Sequence, residues 1–319
     1  MLTAATTLHG GQRAAQAVRS QLVWVDRTGK KLSNVTDLAD FGDIELSPDR
    51  KQIAAAVLNE QTGLRELWLY DAEGKTRTRL DDNRADENWL IWSPDGKRVV
   101  YNSQRVVDDS HLSSRINLYG RDLGAVARET LIAIDKERGQ WPVSWSPDGK
   151  NLLVVTSKLA QNSQVPDNDI WVLPLGNTGE PYPFLASPAQ ENWAAFSPDG
   201  RWVAFSYAEP GEETELYVTT FPKSNRRWLV SAHGGFQARW RRDGKELFFL
   251  ATNGTLTTSL MVAEVDGNAS EFEVKDVMKL FDTPVPYPPY HAFDVSADGQ
   301  RILINSLLLG RGGIRSASR

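Results

Sequence analysis

The sequence predicts an all-β fold, a six-bladed β-propeller of four-stranded antiparallel blades, closed by pairing its N- and C-terminal strands. Three observations predict it. One tight turn is written six times, an aromatic and β-branched strand follows most copies, and the chain starts and stops on complementary halves of the repeated unit. The turns are Leu46-Ser47-Pro48-Asp49-Arg50, Trp92-Ser93-Pro94-Asp95-Gly96, Trp145-Ser146-Pro147-Asp148-Gly149, Phe196-Ser197-Pro198-Asp199-Gly200, Trp240-Arg241-Arg242-Asp243-Gly244 and Val295-Ser296-Ala297-Asp298-Gly299. Pro presets φ at the first central position, Asp bonds the nearby backbone, and Gly accepts φ > 0 as the chain re-enters a strand. With apolar runs on either side, each turn is the tip of a hairpin. Successive Asp residues are 46, 53, 51, 44 and 55 residues apart, a period typical of repeat architectures. Arg50 in place of Gly, and Arg241-Arg242 and Ser296-Ala297 in place of Ser-Pro, predict three looser turns.

Taken in order, residues 1–20 are small, polar and weakly patterned, and are expected to be disordered. Residues 22–26 match the third strand of the other repeats, and 31–35 match a fourth. Third strands are expected at 67–71, 116–119, 170–173, 216–218 and 260–263, from their aromatic and β-branched content. Short fourth strands follow at 78–80, 130–134, 183–185, 227–230 and 278–281. Residues 292–296 and 301–305 supply a first and a second strand and then stop. Pairing these with the N-terminal half makes the sixth blade and removes the sheet edges that an open array would expose. The propeller is therefore placed at 21–305, with 306–319 as a flexible basic tail.

Composition narrows the function. Eleven Trp fall mainly on the strands, where flat rings fill the layers between blades. The net charge of −5 and the lack of a basic stripe argue against nucleic acid as a partner. The absence of Cys excludes thiolate metal sites, disulfides and a Cys nucleophile. No apolar run approaches the ~18 residues of a spanning helix, so no transmembrane segment is expected. No signal-peptide core is visible at the start, so a complete chain would be cytoplasmic.

The six turns, together with strands of the Leu67-Trp68-Leu69-Tyr70-Asp71 type, resemble the TolB-like β-propeller family over residues 22–305. More narrowly, residues 22–30 (LVWVDRTGK), 169–175 (DIWVLPL) and 239–248 (RWRRDGKELF) are similar to propellers fused to bacterial membrane-bound serine/threonine kinases. The resemblance implies a bacterial, periplasmic or otherwise extracytoplasmic sensor or protein-interaction module with no chemistry and no cofactor of its own. Neither a Gly-rich phosphate loop with a His-Arg-Asp loop nor a Gly-x-Ser-x-Gly elbow occurs in the chain.

In a propeller, the links from one blade to the next share a face with the loops between second and third strands, and binding usually belongs to that face. Two links end identically, in Glu87-Asn88-Trp89 and Glu191-Asn192-Trp193. With Gln140, Phe236, Gln237 and His291 at similar offsets, Glu87, Asn88, Glu191 and Asn192 are the candidate ligand-binding ring at the channel mouth. Such a ring suits a protein, a peptide or a small polar ligand; the same residue types also cap loops and hold water. No catalytic residue and no metal ligand is assigned, and a monomer is expected. Two alternatives stay open. A metal-assisted lyase or hydrolase would need His111, His233 and His291 to converge on that face. The chain could also be the accessory propeller of a larger kinase or peptidase.

Overall fold

The computed structural model describes residues 19–80, 85–105, 116–124, 128–133, 138–158, 168–176, 179–223, 226–231, 233–252, 258–267, 271–285 and 290–308, and among these every regular element is a β-strand. The chain opens with β1 (Ser20–Asp26) and β2 (Lys31–Asn34). Blade 1 follows as β3 (Phe41–Leu46), β4 (Gln52–Leu58), β5 (Arg65–Asp71) and β6 (Arg77–Arg79). Blade 2 is β7 (Glu87–Trp92), β8 (Arg98–Ser103), β9 (Asn117–Asp122) and β10 (Glu129–Ala133). Blade 3 is β11 (Arg138–Trp145), β12 (Asn151–Lys158), β13 (Asn168–Pro174) and β14 (Tyr182–Leu185). Blade 4 is β15 (Gln190–Phe196), β16 (Trp202–Ala208), β17 (Glu215–Thr220) and β18 (Arg227–Leu229). Blade 5 is β19 (Phe236–Trp240), β20 (Glu246–Thr252), β21 (Thr258–Gly267) and β22 (Phe272–Thr283), and the chain ends with β23 (Phe293–Val295) and β24 (Arg301–Leu307).

Each blade is a four-stranded sheet in chain order, and the sixth has the order β2-β1-β24-β23, so the two ends of the chain close the ring. The pairing of β1 with β24 runs unbroken from Ser20 opposite Leu307 to Asp26 opposite Arg301. This seam starts one residue before, and ends two residues after, the limits read from sequence. The reason is backbone pairing beyond the apolar runs: Ser20 exchanges hydrogen bonds with Ala39 at 2.8 and 3.0 Å, and Leu307 N–H donates to Pro284 O at 2.8 Å. Segments 1–18 and 309–319 lie outside the described residues.

Side chains in the ring alternate between two interfaces. In β1, Leu22 and Trp24 pack with Phe41, Ile44, Leu46 and Ile53 of blade 1, while Val23 and Val25 pack with Phe248, Leu250 and Val262 of blade 5. That is the two-residue period of a strand, with both faces covered. Central strands consequently lose the polar face: Ile53, Ala54, Ala55 and Ala56 are all fully buried. Outer strands such as β2 and β6 are exposed throughout. Blade 5 departs from the expected short third and fourth strands, because β21 and β22 form a long hairpin with two register shifts. These carry Val265 and Phe272 onto the apolar cluster around Trp202 and Trp240.

The six turns share one wiring. Ser Oγ donates to Asp Oδ1 at 2.6–2.7 Å in five of them, and that oxygen also accepts the N–H two residues on, as from Lys51 at 3.1 Å and Lys150 at 3.1 Å. At the remaining turn Arg241 takes the Ser role, binding Asp243 at 2.7 and 2.9 Å. Asp is thus the acceptor the turn is built on. The Ser hydroxyl holds the Asp49, Asp95, Asp148 and Asp298 carboxyls below their ordinary range. The three turns expected to be looser are not. Their closing hydrogen bonds measure 2.8 Å at Arg50, 2.9 Å at Gly244 and 2.9 Å at Gly299, matching 2.9 Å at Gly96. The Asp wiring, not Pro, sets the geometry. Arg50 adopts φ 62° without being Gly, and its side chain reaches Asp294.

Candidate functional site

The first strands of successive blades, β3, β7, β11, β15, β19 and β23, neighbour one another all the way round the axis. Each is the free edge of its sheet, so its N–H groups need partners. Side chains from the preceding blade supply them. Asp43 accepts from Leu90 N–H at 2.8 Å, Glu45 from Trp92 N–H at 2.9 Å, Ser144 from Phe196 N–H at 3.0 Å, Gln237 from Ala292 N–H at 3.0 Å, and Asp294 from Leu46 N–H at 2.9 Å.

These pins divide the channel. Glu45, Ile91, Ser144, Ala195, Arg239 and Asp294 each stand four residues before their turn Asp, which puts the ionisable ones in blades 5, 6 and 1 and the neutral ones in blades 2, 3 and 4. In the charged half, burial pushes the Glu45 carboxyl up to about 8, against the pull of Arg239. His291 Nδ1 lies 2.9 Å from Asp43 Oδ1, and both side chains are buried. Burial, and then Arg239, hold the imidazole below its ordinary value although Asp43 opposes them.

The neutral half opens into a pocket at the loop face. It has a volume of about 590 Å³ and is walled by Trp89, Trp141, Trp193 and Tyr290, with the amides of Asn88, Asn102, Gln104, Asn168 and Asn192 between them. The strand geometry builds this wall. Register shifts between Asn88 and Ile91, and between Asn192 and Ala195, bulge the first strands of blades 2 and 4. At those bulges Trp89 and Trp193 take φ values of 49° and 54°, a strained conformation for a bulky residue. Their indoles stack with centroids 5.0 Å apart, and Trp141 meets Trp89 edge-on at 6.5 Å. Asn168 Nδ2 donates to Asn192 Oδ1 at 2.9 Å. In the orientation its neighbours dictate, the Asn102 amide donates to Asn88 O at 2.9 Å and accepts from Trp141 Nε1 at 3.3 Å.

Of the eight residues singled out by sequence, Asn88 and Asn192 line this pocket. The others surround it as structure. Except for His291, which lies two residues before β23, they sit near the starts of first strands rather than in the links, so several are committed to neighbours. Glu87 is fully buried and paired with Arg105. Glu191 accepts from Ser187 Oγ at 2.6 Å, and burial pushes its carboxyl up to about 7. Gln140 precedes Trp141 on β11 but does not line the cavity. Phe236 turns into the apolar cluster between blades 5 and 6. Gln237 is spent on Tyr290 O at 2.6 Å and on Ala292 N–H, and His291 on Asp43. His233 is exposed, and His111 lies outside the described residues. Among the described residues no three His, Cys, Asp or Glu side chains gather as metal ligands.

Trp89, Trp141, Trp193 and Tyr290 are not among the eight residues singled out by sequence. Trp89 and Trp193 are the third letters of the repeated Glu-Asn-Trp, and that repetition was the available signal. Trp141 stands seven residues before its turn Asp, as Asn88 and Asn192 do, and is found only by aligning the six turns.

Known proteins agree with the fold. No family model matches the chain. Dipeptidyl-peptidase 5 of Aspergillus fumigatus is 28% identical over 134 residues, covering 37% of this chain and only 18% of that protein, so the match spans about a fifth of the relative's length. Among solved structures, a protein described as TolB from Agrobacterium tumefaciens aligns with a TM-score of 0.67 at 17% identity, covering 91% of this chain and 99% of that one. An oligogalacturonate lyase in complex with manganese gives 0.56 at 16% identity, covering 89% and 78%. A puromycin-hydrolyzing peptidase of Mycobacterium tuberculosis gives 0.55 at 15%, covering 83% of this chain and 43% of that one. At these identities the likeness is one of fold: the chain shares its propeller architecture with a protein described as TolB, a lyase and a peptidase, and that architecture assigns no activity by itself.

Proposed function

We propose that this propeller is a non-catalytic binding or sensor module that takes a peptide, a protein segment or a small polar ligand into the pocket above blades 2, 3 and 4. The observation that carries this reading is the pocket itself. Four aromatic rings and five amides converge on one concave site, held by two bulky residues in a strained backbone conformation. Several ionisable groups nearby are already paired or pinned, as Glu87 with Arg105 and Asp43 with Leu90 N–H illustrate, which favours recognition over proton transfer. The kinase-type resemblance of residues 22–30, 169–175 and 239–248 supports an extracytoplasmic setting within a larger receptor. No helix among the described residues is long and apolar enough to cross a membrane.

The match to a dipeptidyl peptidase favours a second reading, in which the propeller is the accessory domain of a larger hydrolase and its pocket selects what reaches the catalytic part. The metal-assisted alternative is weaker, since His291 is buried in the channel while His233 is exposed.

Thermal unfolding against peptides, sugars and divalent metals, with and without chelator, tests the proposal. A ligand that binds the folded chain raises the midpoint. The expected result is a rise with a peptide or sugar that is lost in Trp141→Ala and insensitive to chelator. A rise seen only with metal and abolished in the His233→Ala variant would overturn it in favour of the enzyme.

A further inference from the structure

We propose that the pocket's ligand class is a neutral saccharide, one or two pyranose rings in size. This deepens the binding-module reading above and rests on it. The argument starts from charge. Asp86 is the one Asp, Glu, Lys, Arg or His among the described residues lining the cavity, and each of its oxygens accepts a hydrogen bond, Oδ1 from Arg65 N–H at 2.8 Å and Oδ2 from Asn88 Nδ2 at 3.1 Å. The nearby Arg65 guanidinium is held by Asp40 at 3.0 Å and lies 5.0 Å over the Tyr290 ring. That cation already occupies the ring face an ammonium ligand would seek, and it repels a second positive charge. Among the described lining residues an anionic ligand therefore finds no cation, and a cationic one finds only Asp86, with the like-charged Arg65 close by.

The rest of the lining has the chemistry of a sugar site. A pyranose ring offers a face of polarised C–H groups, which packs on the negative face of an indole, while its rim of hydroxyls both donates and accepts hydrogen bonds. Amide side chains also do both. Asn168 and Asn192 use one Nδ2 and one Oδ1 on each other, which leaves Asn168 Oδ1 and Asn192 Nδ2 with no partner among the described residues. The Ser157 hydroxyl adds a third two-way group on the neighbouring strand β12. An extended Pro-rich peptide needs fewer such groups, because it presents main-chain carbonyls that dock on indole N–H donors. The Trp141 N–H is already taken by Asn102. A volume of about 590 Å³ falls in the range of small-ligand pockets.

Titration of the whole chain by calorimetry and by Trp fluorescence decides the matter, using cellobiose, N,N′-diacetylchitobiose and maltose as neutral probes, digalacturonate as the charged sugar, and a Pro-rich hexapeptide. We expect at least one neutral disaccharide to bind, with an affinity unchanged between low and high salt because no charge is exchanged. Trp141→Ala should weaken it by about tenfold or more and Asn168→Ala by about fivefold. Far-UV circular dichroism and melting of Asn168→Ala, a half-buried position, check that the fold is intact. Binding of digalacturonate or the hexapeptide alone, lost in Trp141→Ala, would overturn the neutral-saccharide assignment and leave the pocket as the binding site. Saccharide binding indifferent to both substitutions would overturn the location. No binding by any probe would overturn both the ligand class and the pocket.

Discussion

Trp89 and Trp193 stack with their ring centroids 5.0 Å apart and their planes 25° apart, although the whole of blade 3 separates their blades in the chain. Each indole is set by a bulge at the same place in its first strand, and each backbone carries a positive φ that neither residue would choose alone. Ring packing offsets that strain. His291 extends the cluster, its ring 6.0 Å from Trp89 and 5.2 Å from Trp193.

Trp193 is buried and Trp89 only half so. Trp193→Ala should therefore lower the unfolding free energy by about 3–5 kcal/mol, and Trp89→Ala by roughly half as much. Urea melts of the two variants check this. Equal, small losses would show that the stack contributes little and that the strain is held by the bulges alone.

Stability should depend on pH in opposite ways at two channel residues. Glu45 has a folded pKa raised to about 8, so the folded chain holds a proton that the unfolded chain has released; its contribution is full below about 4.5 and is lost as pH rises towards 8. Glu45→Gln keeps the acceptor for Trp92 N–H and removes the ionisation. The variant should gain stability relative to the parent between about pH 5 and pH 8, raising the Tm at pH 8 by several degrees. His291 works the other way, since its lowered folded pKa makes its contribution full above about 6.5 and lost as pH falls below it. Melting curves across the range read both slopes. A difference between Glu45→Gln and parent that stays flat with pH would rule out the first effect.

Arg50 grips Asp294 at 3.2 Å across the junction where the ring closes, with Asp294 almost fully buried. Arg50→Gly relieves a left-handed φ, worth about 1 kcal/mol, but leaves the carboxylate one partner short at a cost of about 2–3 kcal/mol. The net effect should be destabilising by about 1–2 kcal/mol. In a double-mutant cycle with Asp294→Asn, the coupling should be about 1 kcal/mol or more. A more stable Arg50→Gly variant would mean that the turn conformation outweighs the closure contact.

Much of this protein is local and so can be read along the chain. The six Asp-centred turns, the strand periodicity and the half-blades at each end follow from residues within a few positions of one another, because a hairpin needs only its own turn and its own two strands. Those features gave the six blades and the way the ring closes. The looser turns expected at Arg50, Arg241 and Ser296 do not occur, since the Asp wiring compensates where Pro or Gly is lacking.

What each inner residue faces was decided only when the blades met. Glu87, Glu191, Gln237 and His291 look like a polar mouth in sequence, yet their offsets from the turn place them where an edge strand or a neighbouring side chain must be satisfied. The pocket draws Trp89 from blade 2, Trp141 from blade 3, Trp193 from blade 4 and Tyr290 from the link before β23, which no local pattern joins. Sequence by itself determined the repeat and its closure, because those depend on backbone pairing and two-residue alternation. The tertiary structure alone decided which polar groups are pinned and which rings face an open cavity, because that depends on how each bulged edge packs against the blade beside it.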